Sequence, residues 1–283
     1  MRKVVIGILI AAGLVFIAFS AGTCAAVFKI RPFAKGRVGV VRVDGMITLA
    51  DQAVENLETA RKDATVKAVV LRIDSPGGAV GASQEIYEEV KKVDAEKPVI
   101  VSMGDVAASG GYYIACGGRK IFANLGTITG SIGVKMEYVN VKELLSWAKV
   151  EHQTLKSGKL KDVGAYDRDM TEEERKLLQD LLANIHAQFK KAVALERNLS
   201  EDEIEKIADG RVYTGEQAKE LGLIDEIGGL TVAVDEAAKS AGIRGEPEVK
   251  EIGDYEPWWL NLITEKINML TGNITGKRAV YKF

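Results

Sequence analysis

The chain has 283 residues, 47% apolar and 28% charged, enough to bury a full core around one catalytic domain with appendages. Its 38 Lys and Arg against 40 Asp and Glu leave a net charge of −2, which lacks the basic field that neutralises phosphates, so nucleic acid is excluded as a partner. Two cysteines, Cys24 and Cys116, make no disulfide framework, and no Cys/His group has metal-ligand spacing, so neither a metal nor another cofactor is expected.

Val4 to Phe28 carries no charge and is long enough to cross a hydrocarbon core of ~30 Å as a helix. Residues 1–30 are therefore expected to form one N-terminal transmembrane helix, a single-pass membrane anchor, followed by a basic linker over 31–36. Two other readings of the segment exist. The small residues from Ala21 to Ala26 could offer a signal-peptide cleavage site, and Cys24 invites a lipoprotein reading that Thr23 before it disfavours. Basic residues flank both sides, Arg2 and Lys3 before and Lys29, Arg31, Lys35 and Arg37 after; counting them would leave the following domain inside the cell.

Beyond the linker, "RVGVVRVDGMI" (37–47) is rich in β-formers, 50–63 has helical spacing with Val54, Leu57 and Ala60 on one side, and "KAVVLRIDSPGG" (67–78) is an apolar run ending in a turn signal. The same alternation continues with an amphipathic helix at 81–93, a strand at 97–104 and a short helix at 109–118. A strand and a Gly-rich loop follow over 120–134. Apolar strands alternating with helices predict an α/β fold, a parallel sheet covered by helices. The later chain is helical: 171–198 reads as one long helix with a threonine cap and an acidic first turn, and "SEDEIEKIADG" and "TGEQAKELGL" read as shorter ones. The main domain is expected over 37–250, with an amphipathic tail over 251–283 that carries Trp258 and Trp259. That pair fits core or subunit packing, or an interfacial membrane contact.

Two turns could carry chemistry. In "DSPGGAV" (74–80) proline fixes one turn residue and two glycines let backbone N–H groups face a cavity, where they could stabilise an oxyanion; the plain alternative is a strand-to-helix turn. In "VAASGGYY" Ser109 follows a strand and precedes a helix, a position for an exposed hydroxyl or for an ordinary N-cap. The chain has only two histidines, and neither His152 nor His186 stands beside an evident carboxylate, so both read as surface residues. A lysine can replace histidine as base where burial lowers its pKa toward neutrality. Lys156, Lys159 and Lys161 cluster in "LKSGKLKDVG" (155–164), which read alone is a solvated charge run.

Taken together, "DSPGG", "SMGDVAASGGYY", "TGSIGV", "SGKLKDVG" and "ADGRVYTGEQAKELGLIDEIGG" resemble, in order and spacing over about 37–240, the signal peptide peptidase A (SppA) family of membrane-bound serine proteases. The resemblance implies a Clp protease/crotonase-like fold of repeated βαβ units with a helical C-terminal part. It implies a Ser/Lys dyad, with Ser109 as nucleophile, Lys161 as general base, Ser131 orienting the lysine, and Gly77 and Gly110 as oxyanion-hole donors. It also implies a catalytic domain on the extracytoplasmic side of the cell membrane, and remnant signal peptides and other apolar peptides as substrates. Long members carry two tandem copies of the fold and this chain carries one; half-length members form homo-oligomeric rings in which neighbouring protomers share each active site. Competing readings are a same-clan membrane protease that cuts a stomatin-like membrane protein, a crotonase-like acyl-CoA enzyme, and an anchored scaffold with a decayed site.

Overall fold

The computed structural model describes residues 36–253. The expected anchor over 1–30, the linker over 31–36 except Gly36, and the part of the expected 251–283 tail beyond Gly253, with its tryptophan pair, lie outside the described residues. Among the described residues no helix is long and apolar enough to cross a membrane.

Strand β1 (Arg37–Asp44), helix α1 (Asp51–Lys62), β2 (Val66–Ser75), α2 (Val80–Glu96) and β3 (Val99–Ala108) build two successive βαβ units with parallel pairing throughout. After α3 (Gly110–Ala115) come β4 (Lys120–Ala123) and β5 (Ile128–Gly130). Two helices follow, a short α4 (Lys142–Trp147) and the long α5 (Glu172–Arg197). Then come α6 (Glu201–Ile207), β6 (Val212–Thr214), α7 (Gly215–Glu220), β7 (Glu226–Ile227), α8 (Leu230–Ser240) and β8 (Glu248–Ile252). The sheet order is β6-β5-β3-β2-β1-β8, with β4 branching from β3 and carrying β7, and only the β5–β6 pair is antiparallel. β8 crosses the domain boundary expected at 250 and pairs with β1, so Ile252 belongs to the core.

The apolar alternation in the strands sets the two layers. Val41 and Val43, Val69, Leu71 and Ile73, and Val101 and Met103 face one side, where α1, α2, α3 and the C-terminal half of α5 cover them. Val38, Val40, Ala68, Val70 and Ile100 face the other, against Ala233, Val234 and Ala237 of α8. A sheet buried on both faces needs apolar residues on both, and these strands have them.

The third strand runs four residues further than its sequence suggests. β3 and β2 stay in register to Ile73↔Met103 and resume only at Ser75↔Ala107, so three residues of β3 oppose one of β2. The bulge centres on Gly104, where a Cβ would lie 2.6 Å from Asp74 Cγ. Beyond the bulge β3 pairs with β5 as well as β2, from Val106↔Ile128 to Ala108↔Gly130, and ends at the C-terminal edge of the parallel sheet, the usual place for a site in such folds. Thr171 caps α5 as expected, its hydroxyl accepting from the Glu174 amide while the Glu174 carboxylate accepts from the Thr171 amide.

Candidate active site

Ser109 stands where β3 ends and α3 begins, with φ 52 and ψ −120, a conformation that non-glycine residues rarely adopt. Its side chain makes no capping hydrogen bond, so the N-cap reading fails and the hydroxyl is left for other work. The backbone is held from two sides: the Ser109 amide donates to Gly130 O at 2.8 Å, and its carbonyl accepts from the Tyr113 amide at 2.9 Å. Gly111 lets α3 pack close, since a Cβ there would lie 3.0 Å from Ser75 O.

A cavity of about 30 Å³ opens beside Ser109, with Gly78, Ser83, Gly110, Tyr113 and Phe189 among its walls. A larger cleft of about 530 Å³, between the end of β1 and α1, shares no wall residue with it. Of the two expected oxyanion donors, Gly110 lies on the cavity wall, and as the first residue of a helix its amide has no intrahelical acceptor. Gly77 does not line the cavity. Its N–H donates to Ser75 Oγ at 3.1 Å and the residue is buried, so the exposed wall position passes to Gly78, whose amide has no partner among the described residues. Gly77 still requires glycine, because its φ is 102 and a Cβ would come within 2.9 Å of Ser109 Cβ. The loop is pinned by Ile47, whose amide donates to Gly77 O at 3.0 Å and whose carbonyl accepts from the Ala79 amide at 2.7 Å. The resemblance pointed to Gly77 of the adjacent pair, and the hydrogen bond to Ser75, burial and the cavity wall together distinguish it from Gly78.

Ser131 follows Gly130 directly and has the same φ of 52 as Ser109; its amide donates to Arg211 O at 2.8 Å. It sits one peptide from the nucleophile's anchoring carbonyl, yet it is not on the cavity wall.

The three lysines of the 155–164 segment separate cleanly. Lys156 pairs with Asp162 Oδ1 at 2.5 Å and Lys159 with Glu173, while Lys161 has no side-chain hydrogen bond or ion pair among the described residues. Lys161 is exposed rather than buried, and no lysine is among the walls of the Ser109 cavity. The physical reason is the shape of the 135–170 segment: it holds only the short α4, and most of its residues face solvent. Among the described residues, more than half of the exposed large apolar side chains fall between 136 and 181, including Trp147 at 82% and Leu155 at 101% exposure. The arm is nevertheless held at its base. Arg168 donates to both carboxylate oxygens of Glu174 and to the carbonyl and carboxylate of Asp162, the residue after Lys161.

His152 is better partnered than its sequence suggested, with Nδ1 2.7 Å from Asp167 Oδ2. The two are 15 residues apart on a segment of little regular structure, so no periodicity could pair them, and neither lines the cavity. His186 on α5 approaches Ile132 O at 3.2 Å and supports the loop after Ser131.

The sequence model of peptidase family S49 matches residues 91–244, and that of Clp protease matches residues 39–124. A protein of Synechocystis sp. named as a protease is 44% identical over 189 residues, 67% of this chain and 68% of its own length. The chloroplastic serine protease SPPA of Arabidopsis thaliana is 38% identical over 206 residues, 72% of this chain and 30% of its own length. A protein of Enterococcus faecium named as an SppA signal peptide peptidase is 40% identical over 184 residues, 65% of this chain and 54% of its own length. The chain thus spans about half or less of the length of the latter two. With the strained serine, the glycine-rich turns and these matches over most of the described fold, the chain belongs to peptidase family S49, the SppA group of serine proteases.

Proposed function

We propose that the chain is an endopeptidase with a Ser/Lys dyad, anchored in the cell membrane with its catalytic domain on the extracytoplasmic side, that degrades remnant signal peptides and other apolar peptides. The observation that carries this reading is Ser109 itself: an uncommitted hydroxyl on a strained turn, on the wall of a cavity it shares with the unpartnered amides of Gly78 and Gly110. In the reaction, a neutral lysine amine accepts the Ser109 proton as Oγ bonds to the peptide carbonyl carbon. The amides of Gly78 and Gly110 hold the oxyanion, and the lysine returns the proton to the leaving nitrogen as the C–N bond breaks. Water, deprotonated by the same amine, then releases the acyl group from Ser109. Ser131 is assigned to orient the lysine.

Lys161 is the proposed base, and its exposure gives the reading its second half. A lysine base works where water is removed from it. In one chain Lys161 is solvent-exposed on an arm rich in uncovered apolar groups, so a second copy is the fitting source of both the burial and the serine. The reading is therefore a homo-oligomeric ring with each site shared between neighbours. The name of the Enterococcus relative supports the substrate class, and the apolar stretch from Val4 to Phe28 supports the anchor.

Labelling with a small fluorophosphonate tests the chemistry. Wild type and the Lys156→Ala and Lys159→Ala variants are expected to label, Ser109→Ala not at all, and Lys161→Ala far more slowly. Undiminished labelling of Ser109→Ala overturns the assignment of the nucleophile.

A further inference from the structure

The chain passes from β2 into α2 through residues 76–79, and the backbone N–H groups of that turn have different fates. Pro76 has none. Gly77 donates to Ser75 Oγ at 3.1 Å, and Ala79 donates to Ile47 O at 2.7 Å. Gly78 alone keeps an amide without a partner among the described residues, and of the four it is the one on the wall of the Ser109 cavity.

The Ser75 hydroxyl is what separates the two glycines. Ser75 and Gly77 are both buried, and the Gly77 amide has no other acceptor among the described residues. A buried N–H that loses its acceptor costs more than the hydrogen bond itself, so the turn would shift to find another. There is little room to shift. A Cβ on Gly77 would lie 2.8 Å from Gly110 N and 2.9 Å from Ala108 O, and a Cβ on Gly110 would lie 3.3 Å from Gly78 N. The two glycine turns are thus in contact, and any movement of the first changes the spacing of the Gly78 and Gly110 amides.

The second turn has separate supports. Asp74 Oδ1 accepts from the Val106 amide at 3.1 Å, while the hydroxyls of Thr127 and Thr129 donate to Gly104 O at 2.8 Å and Ala107 O at 2.7 Å. None of these bonds uses the Ser75 hydroxyl. Losing that hydroxyl therefore disturbs the Gly78 side of the site and leaves the end of β3, with Ser109 and Gly110, held as before.

We propose that Ser75 is a positioning residue for the oxyanion hole: by keeping the Gly77 N–H inward, its hydroxyl presents the Gly78 N–H to the cavity beside that of Gly110. That role rests on the reading of Ser109 as nucleophile and deepens it. Ser75 touches neither substrate nor reacting atoms and acts through the peptide planes of one turn. The charge on a tetrahedral adduct depends on where these amides point, whereas an unreacted peptide does not call on them in the same way. A misplacement of about 1 Å at such a site costs on the order of 100-fold.

The test compares two reversible inhibitors of the full-length protein that share one peptide sequence, an aldehyde and the matching alcohol. Ser109 Oγ bonds to the aldehyde carbon as its proton passes to the base, and the carbonyl π pair moves onto the oxygen held in the hole. The alcohol binds without forming a bond. Inhibition of fluorogenic peptide hydrolysis reads both affinities. Ser75→Ala is expected to bind the aldehyde about tenfold or more weakly than wild type, to bind the alcohol within about twofold, and to lose kcat with little change in KM. Ser75→Cys, whose sulfur is a weak acceptor, is expected to show the same split to a smaller degree, and it carries the test if the alanine variant does not fold. Undiminished aldehyde affinity in the folded variants overturns the proposal. An equal loss for both inhibitors overturns it too, because that marks a general loosening of the domain. A small fluorophosphonate separates this inference from the reading beneath it. If wild-type Ser109 stays unlabelled, the nucleophile reading falls and this inference with it; if Ser109 labels while the Ser75 variants bind the aldehyde as wild type does, only this inference falls.

Discussion

The amide of Ser109 donates a 2.8 Å hydrogen bond to the carbonyl of Gly130, which carries the pairing of β3 with β5 one residue beyond Ala108 to the nucleophile position. The next residue is Ser131, which repeats the φ of 52 found at Ser109. Two serines with the same positive φ are thus joined through one carbonyl, at the end of the β3–β5 pairing that follows the bulge at Gly104.

Strain at Ser109 predicts a stability ordering. Glycine tolerates φ 52 and ψ −120, whereas alanine does not, and such strain is worth about 1–3 kcal/mol. Ser109→Gly and Ser109→Ala are both expected to be inactive, with the glycine variant more stable by about 1 kcal/mol in urea denaturation. Equal midpoints for the two would show that the turn stores no strain.

Gly130 has φ 78, and a Cβ on it would lie 2.6 Å from Cδ2 of Tyr213, whose hydroxyl donates to Ile207 O at 3.0 Å. The ring is buried and tied, so it cannot easily yield. Gly130→Ala is expected to lose at least about 1 kcal/mol of stability and to slow fluorophosphonate labelling of Ser109 by tenfold or more, because the anchoring carbonyl shifts. A folded Gly130→Ala protein that labels at the wild-type rate would break the link between this carbonyl and the serine.

Arg168 holds the carboxyl of Glu174 at about 2, well below the usual carboxylate range, with the Thr171 amide assisting. A depressed carboxyl stabilises the fold fully above its unfolded value of about 4.5 and loses that contribution as pH falls toward about 2. The melting temperature of Glu174→Gln should therefore lie below that of wild type at pH 7, with the gap closing across this acid window. A gap of constant size down to pH 2 would mean that the charge plays no part.

The shared site predicts complementation. Ser109→Ala and Lys161→Ala chains, each inactive alone, should regain activity when co-assembled, since about one interface in four of a randomly mixed ring joins an intact serine to an intact lysine. Hydrolysis of a fluorogenic peptide by chains carrying two different affinity tags measures this. No activity in a demonstrably mixed oligomer would refute sharing and leave the Ser/Lys chemistry standing.

Local pattern made the βαβ units and the capped helix α5 legible, because each strand and helix carries its own apolar period and Thr171 and Glu174 form a cap within four residues of chain. The turn at Ser109 was legible for the same reason: strand, serine and two glycines are contiguous. What escaped the sequence depends on pairing at a distance. The bulge in β3 is set by Asp74 and by β5, the choice between Gly77 and Gly78 by the hydroxyl of Ser75, and the His152–Asp167 pair by a fold-back of 15 residues. The exposure of Lys161 agrees with reading 155–164 alone as a solvated charge run, while the partners that Asp162 and Glu173 give to its two neighbours depend on how the arm folds.

Helix α5 has one end in the arm, where Glu174 meets Arg168, and further along its length Phe189 in the cavity wall, with Arg197 locked to Asp225 at the far terminus by bonds of 2.9 and 3.0 Å. Glu174 and Phe189 are about 22 Å apart along a continuous helix, with no proline between them to bend it. The base of the arm and a wall of the Ser109 cavity are thus parts of one rod, so the placing of Phe189 beside the serine is tied through unbroken helix to the Arg168–Glu174 pair that anchors the arm.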